Sequence, residues 1–184
     1  MLEIETERLL LKCIDATHSQ AVLDYLIRNK AFFAPWSPKM QDGFYTIDHQ
    51  AGILEDKQRL FEEGKEIRLY LFRKDSRSGR IIGDIGLSNI IKGFFCSAFV
   101  GYKIDAAEAN KGYMREALEA AIVYAFKDLG LHRIEANVMP HNAPSIRLLE
   151  KLGFEREGYS RKYLKINGNW EDHLRFAILN EKAT

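Results

Sequence analysis

The stretch EANKGYMREALEAAIVYAF, from Glu108 to Phe126, decides how this chain folds. It opens as a short polar loop, passes Gly112 and enters an amphipathic run. Apolar residues recur at Met114, Ala117, Leu118, Ala121, Ile122 and Ala125, the spacing of one buried helix face. Arg115, Glu116 and Glu119 fall on the opposite side, no proline interrupts the run, and strong helix formers dominate it. A helix is predicted here, and its beginning carries the chemical interest. Helix N-termini hold unpaired N–H groups and a positive dipole end, which suits an anion. Gly112 lets backbone approach closely, and Asn110 tolerates left-handed dihedrals. The same residues would also serve a plain helix start, and the loop alone does not choose.

The chain around this helix reads as strands and helices in a definite order. Strands are predicted over Arg8–Ile14 and Ile67–Arg73, then over IIGDIGLSNII and FFCSAFVGYKI, the last ending at Ile104. Helices are predicted over Ser19–Arg28 and over Ile47–Glu62, the second ended by Gly64. The basic turn KDSRSGR joins two of the strands. Strand-rich, turn-joined segments imply an antiparallel meander. A crossover helix at 113–126 then sets HRIEANV parallel to the strand before it. Ligands of such sheets sit at strand ends where the winding changes, here the end of Val100–Ile104. Tyr159–Ile166 and Trp170–Leu179 flank Asn167-Gly168, a hairpin signal. Between the early helices, FFAPWSPKM carries two prolines and is neither a regular helix nor a central strand. A packed corner is the favoured reading, an aromatic lip over a cleft the other.

Composition narrows the class. A chain of 184 residues with 46% hydrophobic and 29% charged residues suits one domain over 1–184 with a sizeable core. A net charge of +1 argues against a broad grip on nucleic acid or an anionic membrane. Cys13 and Cys96 are too few for a framework, and the five histidines have no metal-ligand spacing. No run approaches the ~20 apolar residues of a membrane span, and MLEIETERL lacks a basic region or cleavage site. The expectation is cytoplasmic, as monomer or homodimer.

Taken with APSIRLLEKLGFEREGY, the loop Ala109-Asn110-Lys111-Gly112-Tyr113-Met114 resembles the GCN5-related N-acetyltransferase (GNAT) superfamily. KGYMREAL, HRIEANVMPHN, LLEKLGFEREGYSRKYLKINGNWEDH and, upstream, FFAPWSP and LSNIIKGFF resemble its ribosomal-protein alanine acetyltransferases of RimJ/RimL type. The family loop has Gln or Arg where Ala109 stands and a small residue at Met114, though that branch tolerates Met. Many members place an acidic Tyr where this chain has Leu149. The resemblance implies an α+β GNAT fold: a mixed, mostly antiparallel sheet of about seven strands, helices on both faces, and a splayed parallel pair at the cofactor site.

It also implies acetyl-CoA as donor and no metal. Tyr102, Lys103 and Ile104 would offer main-chain hydrogen bonds to the pantetheine arm. N–H groups from Asn110 to Met114 would cradle the pyrophosphate, with Lys111, Arg115 or Lys151 neutralising remaining charge. Asn142 would contact the cofactor or a site water, and Ser145 would hydrogen-bond the leaving sulfur. Glu135, on one strand face with Arg133 and Asn137, is the candidate base acting through water; Asp84, Asp172 and His173 are weaker ones. The implied acceptor is a protein N-terminus, beginning with Ala or Ser and belonging to a ribosomal protein. A peptide α-amine has a pKa of roughly 7.7–8.0 against about 10.4 for lysine, so it needs only a weak base. Alternatives are a small-amine acetyltransferase, acting on an aminoglycoside or polyamine, and a CoA-binding, ribosome-associated module with little catalysis.

Overall fold

The computed structural model describes residues 2–76 and 79–181. Its frame is one sheet in the order β1-β2-β3-β4-β5-β6-β8-β7. The strands are β1 (Glu3–Glu5), β2 (Leu9–Lys12), β3 (Ile67–Arg73), β4 (Ile81–Ile91), β5 (Ser97–Ile104), β6 (Arg133–Val138), β7 (Glu155–Ile166) and β8 (Asn169–Leu179). The helices are α1 (Ser19–Arg28), α2 (Lys30–Phe33), α3 (Ile47–Glu62), α4 (Tyr113–Lys127) and α5 (Ala143–Lys151). Neighbouring strands run antiparallel, except that β5 and β6 are parallel, as a crossover through α4 requires. The predicted seven strands become eight through β1, a three-residue edge too short to show a pattern.

Strand alternation sorts the side chains into two layers. On one face Leu69, Leu71, Ile85, Leu87 and Val100 pack against Met114, Ala117, Leu118 and Ala121 of α4. Three fully buried alanines, Ala117, Ala121 and Ala125, let the helix lie close on the sheet. On the other face Tyr70 and Ile81 pack with Val22 and Tyr25 of α1 and Leu54 of α3. That layer also buries charge. Arg68 donates to Asp84 at 2.7 Å, and Tyr25 Oη donates to the other Asp84 oxygen at 3.0 Å.

Local signals explain most boundaries. Thr46 caps α3 by accepting the His49 N–H. Asn167 and Gly168, at φ +44° and +90°, make the two-residue turn that suits strand twist. The 32–40 segment departs from the reading above: it takes in the end of α2 and a 3-10 turn at Ala34–Trp36, with Pro35 in the first turn, where a missing N–H costs nothing. It is a corner and a lip at once, since Phe33 packs into the second core and also lines a cleft. In the basic turn, residues 77 and 78 lie outside the described residues. Burial pushes the Cys13 thiol up to about 11, which leaves it inert. No helix among the described residues is long and apolar enough to cross a membrane.

Candidate active site

The parallel pair is short. Its register runs Ser97↔Arg133, Ala98↔Ile134 and Phe99↔Glu135, and stops there. The His132 and Arg133 N–H groups pin the base of the pair to the Cys96 carbonyl at 2.7 and 3.1 Å. Beyond Phe99, β5 stays with β4 as far as Gly83↔Ile104, while β6 stays with β8 as far as Val138↔Leu174. Residues 100–104 therefore border a gap. Asp105 N–H donates to Ile82 at 2.8 Å, and bonded pairs alternate along an antiparallel ladder. Lys103 and Gly101 thus bond β4, and Tyr102 and Ile104 direct their main-chain groups into the gap. Of the three residues expected to hold a pantetheine arm, Lys103 is off that ladder.

At the end of β5 the chain enters the loop before α4. Asn110 and Gly112 both take left-handed dihedrals, at φ +62° and +81°. The first helical bond of α4 is Glu116 N–H to the Gly112 carbonyl at 3.1 Å, so the N–H groups before it have no helical acceptor. Lys111 is paired with Glu108 at 3.0 Å and Arg115 with Glu119 at 2.9 Å. The Arg115 pair is half exposed, and such pairs contribute only ~0–1 kcal/mol, so Arg115 can turn to a phosphate at small cost; Lys111 is itself half exposed, but its partner Glu108 is buried.

Sequence reading missed the cation nearest this loop. Arg8 donates from Nη1 to the Lys111 carbonyl at 3.1 Å and stands over the Tyr113 ring at 4.6 Å. Its Nε donates to Glu116 at 2.6 Å, and Glu116 also accepts from Thr6 Oγ1 and from the Arg8 N–H. Burial raises the Glu116 carboxyl, but these three donors outweigh it and leave it below its usual range. The β1–β2 turn thus ties down the first turn of α4 across more than a hundred residues, a link without local signal.

The third element is α5. Asn142 Oδ1 accepts the Ser145 N–H at 3.3 Å as the helix cap, and Pro144 occupies the first turn. Asn142 Nδ2 has no partner among the described residues, so it can donate outward. Ser145 Oγ lies 2.7 Å from Tyr102 Oη. Burial pushes the Tyr102 phenol up to about 12, partly offset by the Ser145 bond, so it is a neutral hydroxyl at physiological pH. Leu149, standing at the family's usual Tyr, is fully buried. The aromatic hydroxyl at this mouth comes from β5 instead. Alternation already puts Tyr102 on the α4 face with Val100 and Ile104, a signal that sequence reading passed over.

Residues 8–155 match the family model of the acetyltransferase (GNAT) domain. The chain belongs to the GNAT acetyltransferase family. It is 41% identical over 167 residues to the probable N-acetyltransferase YjcK of Bacillus subtilis, covering 91% of each chain. Ribosomal-protein-S5-alanine acetyltransferase from Vibrio fischeri superposes with a TM-score of 0.94 at 33% identity over 100% of both chains. RimJ of Mycobacterium smegmatis, solved with CoA-disulfide, gives 0.88 at 26% identity over 95% of this chain and 83% of that one.

Of the remaining candidates of this GNAT chain, Glu135, Asp84 and His173 lie on the face of the sheet opposite α4, and Asp172 lies on the β7–β8 hairpin. Glu135 stands at the last parallel pair, at the mouth of the gap, with Arg133 at 3.2 Å and Arg175 at 3.4 Å. Asp84 is committed to Arg68 and Tyr25. Asp172 is held on the exposed hairpin by Tyr159 Oη and the Lys162 N–H. His173 is buried beneath Tyr163, whose ring centre is 5.6 Å away, and its Nδ1 faces the Glu171 carbonyl. On this face the 37–46 segment, α1 and α2 enclose a cleft of ≈ 430 Å³ with Lys103 in its wall. The Asn167 N–H of the hairpin tip closes onto the Ser37 carbonyl at 2.9 Å.

Proposed function

We propose that this chain transfers the acetyl group of acetyl-CoA to the α-amine of a protein N-terminus, one beginning with Ala or Ser on a ribosomal protein, in the cytoplasm. The observation that carries this reading is the gap between β5 and β6, with a cofactor-sized ladder on one side and a cleft on the other. Full-length likeness to the Vibrio fischeri enzyme supports the acceptor class, and the CoA-bound RimJ structure supports the donor.

The site's own groups fit that donor. Main-chain groups of Tyr102 and Ile104 hold the pantetheine arm. N–H groups from Asn110 to Met114, freed by the left-handed turn, hold the pyrophosphate, and Lys111, Arg115 or Lys151 supply countercharge. Asn142 Nδ2 donates to the cofactor or a site water. When bound, acetyl-CoA supplies an acetyl thioester. Ser145 donates from Oγ to the departing sulfur, and Tyr102 donates in turn to Ser145, so developing negative charge meets preorganised hydroxyls. Glu135 takes the amine proton through water. A carboxylate is a weak base, which is sufficient for an amine with a pKa of roughly 7.7–8.0.

The small-amine alternative needs a carboxylate-rich cleft for a cationic substrate. The cleft lining carries Lys30, Lys39 and Lys103 against Asp42 alone, the wrong sign for a polyamine or aminoglycoside. The test is transfer from acetyl-CoA, read by intact mass, to three acceptors: a peptide with a free N-terminal Ala, the same peptide blocked there but carrying Lys, and a small-amine panel. Transfer confined to the first supports the proposal. Transfer confined to the panel overturns it, and CoA binding without any transfer favours the module.

A further inference from the structure

The cleft on the second face of β5 has an unspent cation. Lys103 lies between the acceptor entrance and Asp84, its cross-strand neighbour. Both Asp84 oxygens are taken, by Arg68 Nη1 and Tyr25 Oη. The Lys103 ammonium has no hydrogen bond or ion pair among the described residues; it stands over the Phe33 ring, 5.5 Å from Nζ, and feels Asp84 only through space. Burial holds its pKa below the ordinary lysine range, with Asp84 acting against the shift and Arg68 with it. In the same wall Ser37 is 4% exposed, and its Oγ has no hydrogen-bond partner. Lys30 stands at the rim, over the Tyr45 ring at 4.5 Å. Two polar groups without partners and an excess of lysine converge on one cavity.

We propose that this cleft, with Lys103 at its wall, selects acceptors bearing an Asp or Glu side chain within the first five residues. The inference rests on the N-terminal acceptor reading. An incoming carboxylate gives Lys103 the charge-assisted bond it lacks, in a cavity that Ser37 also lines. Tyr102 and Lys103 project to opposite faces of one strand, so an acceptor whose α-amine reaches Ser145 through the gap leaves its following residues on the Lys103 side. Four extended residues span at most roughly 13–14 Å, which sets the window.

The test uses peptides with a free N-terminal Ala and either Glu or Gln at positions two to five, with acetyl-CoA saturating. The readout is the ratio of kcat/KM for Glu over Gln within each enzyme, which a partial loss of folded protein does not move. The wild type is expected to favour Glu by about tenfold at one position, the scale of one charge-assisted bond. Lys103→Met, which keeps a stem to pack on Phe33, brings the ratio to about one, and Lys103→Arg restores it. Equal rates for all peptides in the wild type, or a ratio unchanged in Lys103→Met, overturn the subsite. Should no peptide be acetylated, the acceptor reading fails, and calorimetry of the same peptides decides the subsite. A Lys103-dependent Glu preference in binding sustains it, and none overturns it.

Discussion

The two faces of β5 are built from opposite kinds of sequence. Toward α4 and α5, the site is a turn, a helix start, a capping Asn and two hydroxyls, set over an apolar core. Most of it comes from two short stretches, 102–116 and 142–145. Toward α1 and α2, the cleft is assembled from segments near 26–46, Lys103 and Asn167, over a buried charge network. In the proposed function the first face would grip the cofactor by main chain, which any side-chain composition tolerates. The second recognises by side chains, and there this chain can differ from other members of the family. On the proposed reading, one strand separates cofactor grip from acceptor recognition.

The contrast can be broken first at its energetic base. Arg68→Met strands the Asp84 carboxylate, and losing one partner of a largely buried pair costs about 3 kcal/mol. Urea unfolding should register that loss, while a full-stability result would mean the second face does not rest on this pair. Ser145→Ala should lower kcat about 100-fold, as for other preorganised donors, with CoA affinity held within about threefold. Tyr102→Phe follows with about tenfold, since it acts through Ser145. If both variants instead weaken CoA binding with kcat intact, the hydroxyl pair belongs to cofactor grip.

Gly112→Ala probes the main-chain face. A Cβ there would sit 3.3 Å from Arg8 Nη2 at a φ of +81°, and a left-handed non-glycine residue costs roughly 1–2 kcal/mol. CoA affinity by calorimetry should fall about tenfold, with no change in the preference among acceptor peptides. The smallest effect is on acid stability. Burial by itself would raise the Asp105 carboxyl, but Arg80, the Ala107 N–H, Arg28 and Asn29 outweigh it and pull it down to about 2. A depressed carboxylate stabilises the fold above its unfolded value of about 3.9, and that contribution fades as pH falls toward about 2. Asp105→Asn should remove this slope between about pH 4 and pH 2 in unfolding measured across that range.

The uneven legibility of the chain follows the same division. The α4 face, the Asn142 cap and the Asn167-Gly168 turn declare themselves through periodicity, capping and turn chemistry that act within a few residues. The parallel pair followed from α4 as a crossover. Arg8 on Lys111 and Tyr102 on Ser145 join residues 103 and 43 positions apart, the cleft around Lys103 gathers residues from Leu26 to Asn167, and no local pattern records them. β1 and α2 were missed because three or four residues carry too little periodicity to read. Glu135 was placed on the right strand face by alternation, but its two arginine partners come from β6 and β8 together and needed the register.

The most direct test of the whole account is one peptide with both a free N-terminal Ala and an internal Lys, acetylated by the purified enzyme at pH 7.5. Fragmentation mass spectrometry then locates the acetyl group. Modification of the α-amine alone, at a rate rising with pH as that amine loses its proton, is the predicted result. Acetyl on the lysine side chain would contradict it, because an amine with a pKa of about 10.4 needs a stronger base than a carboxylate such as Glu135.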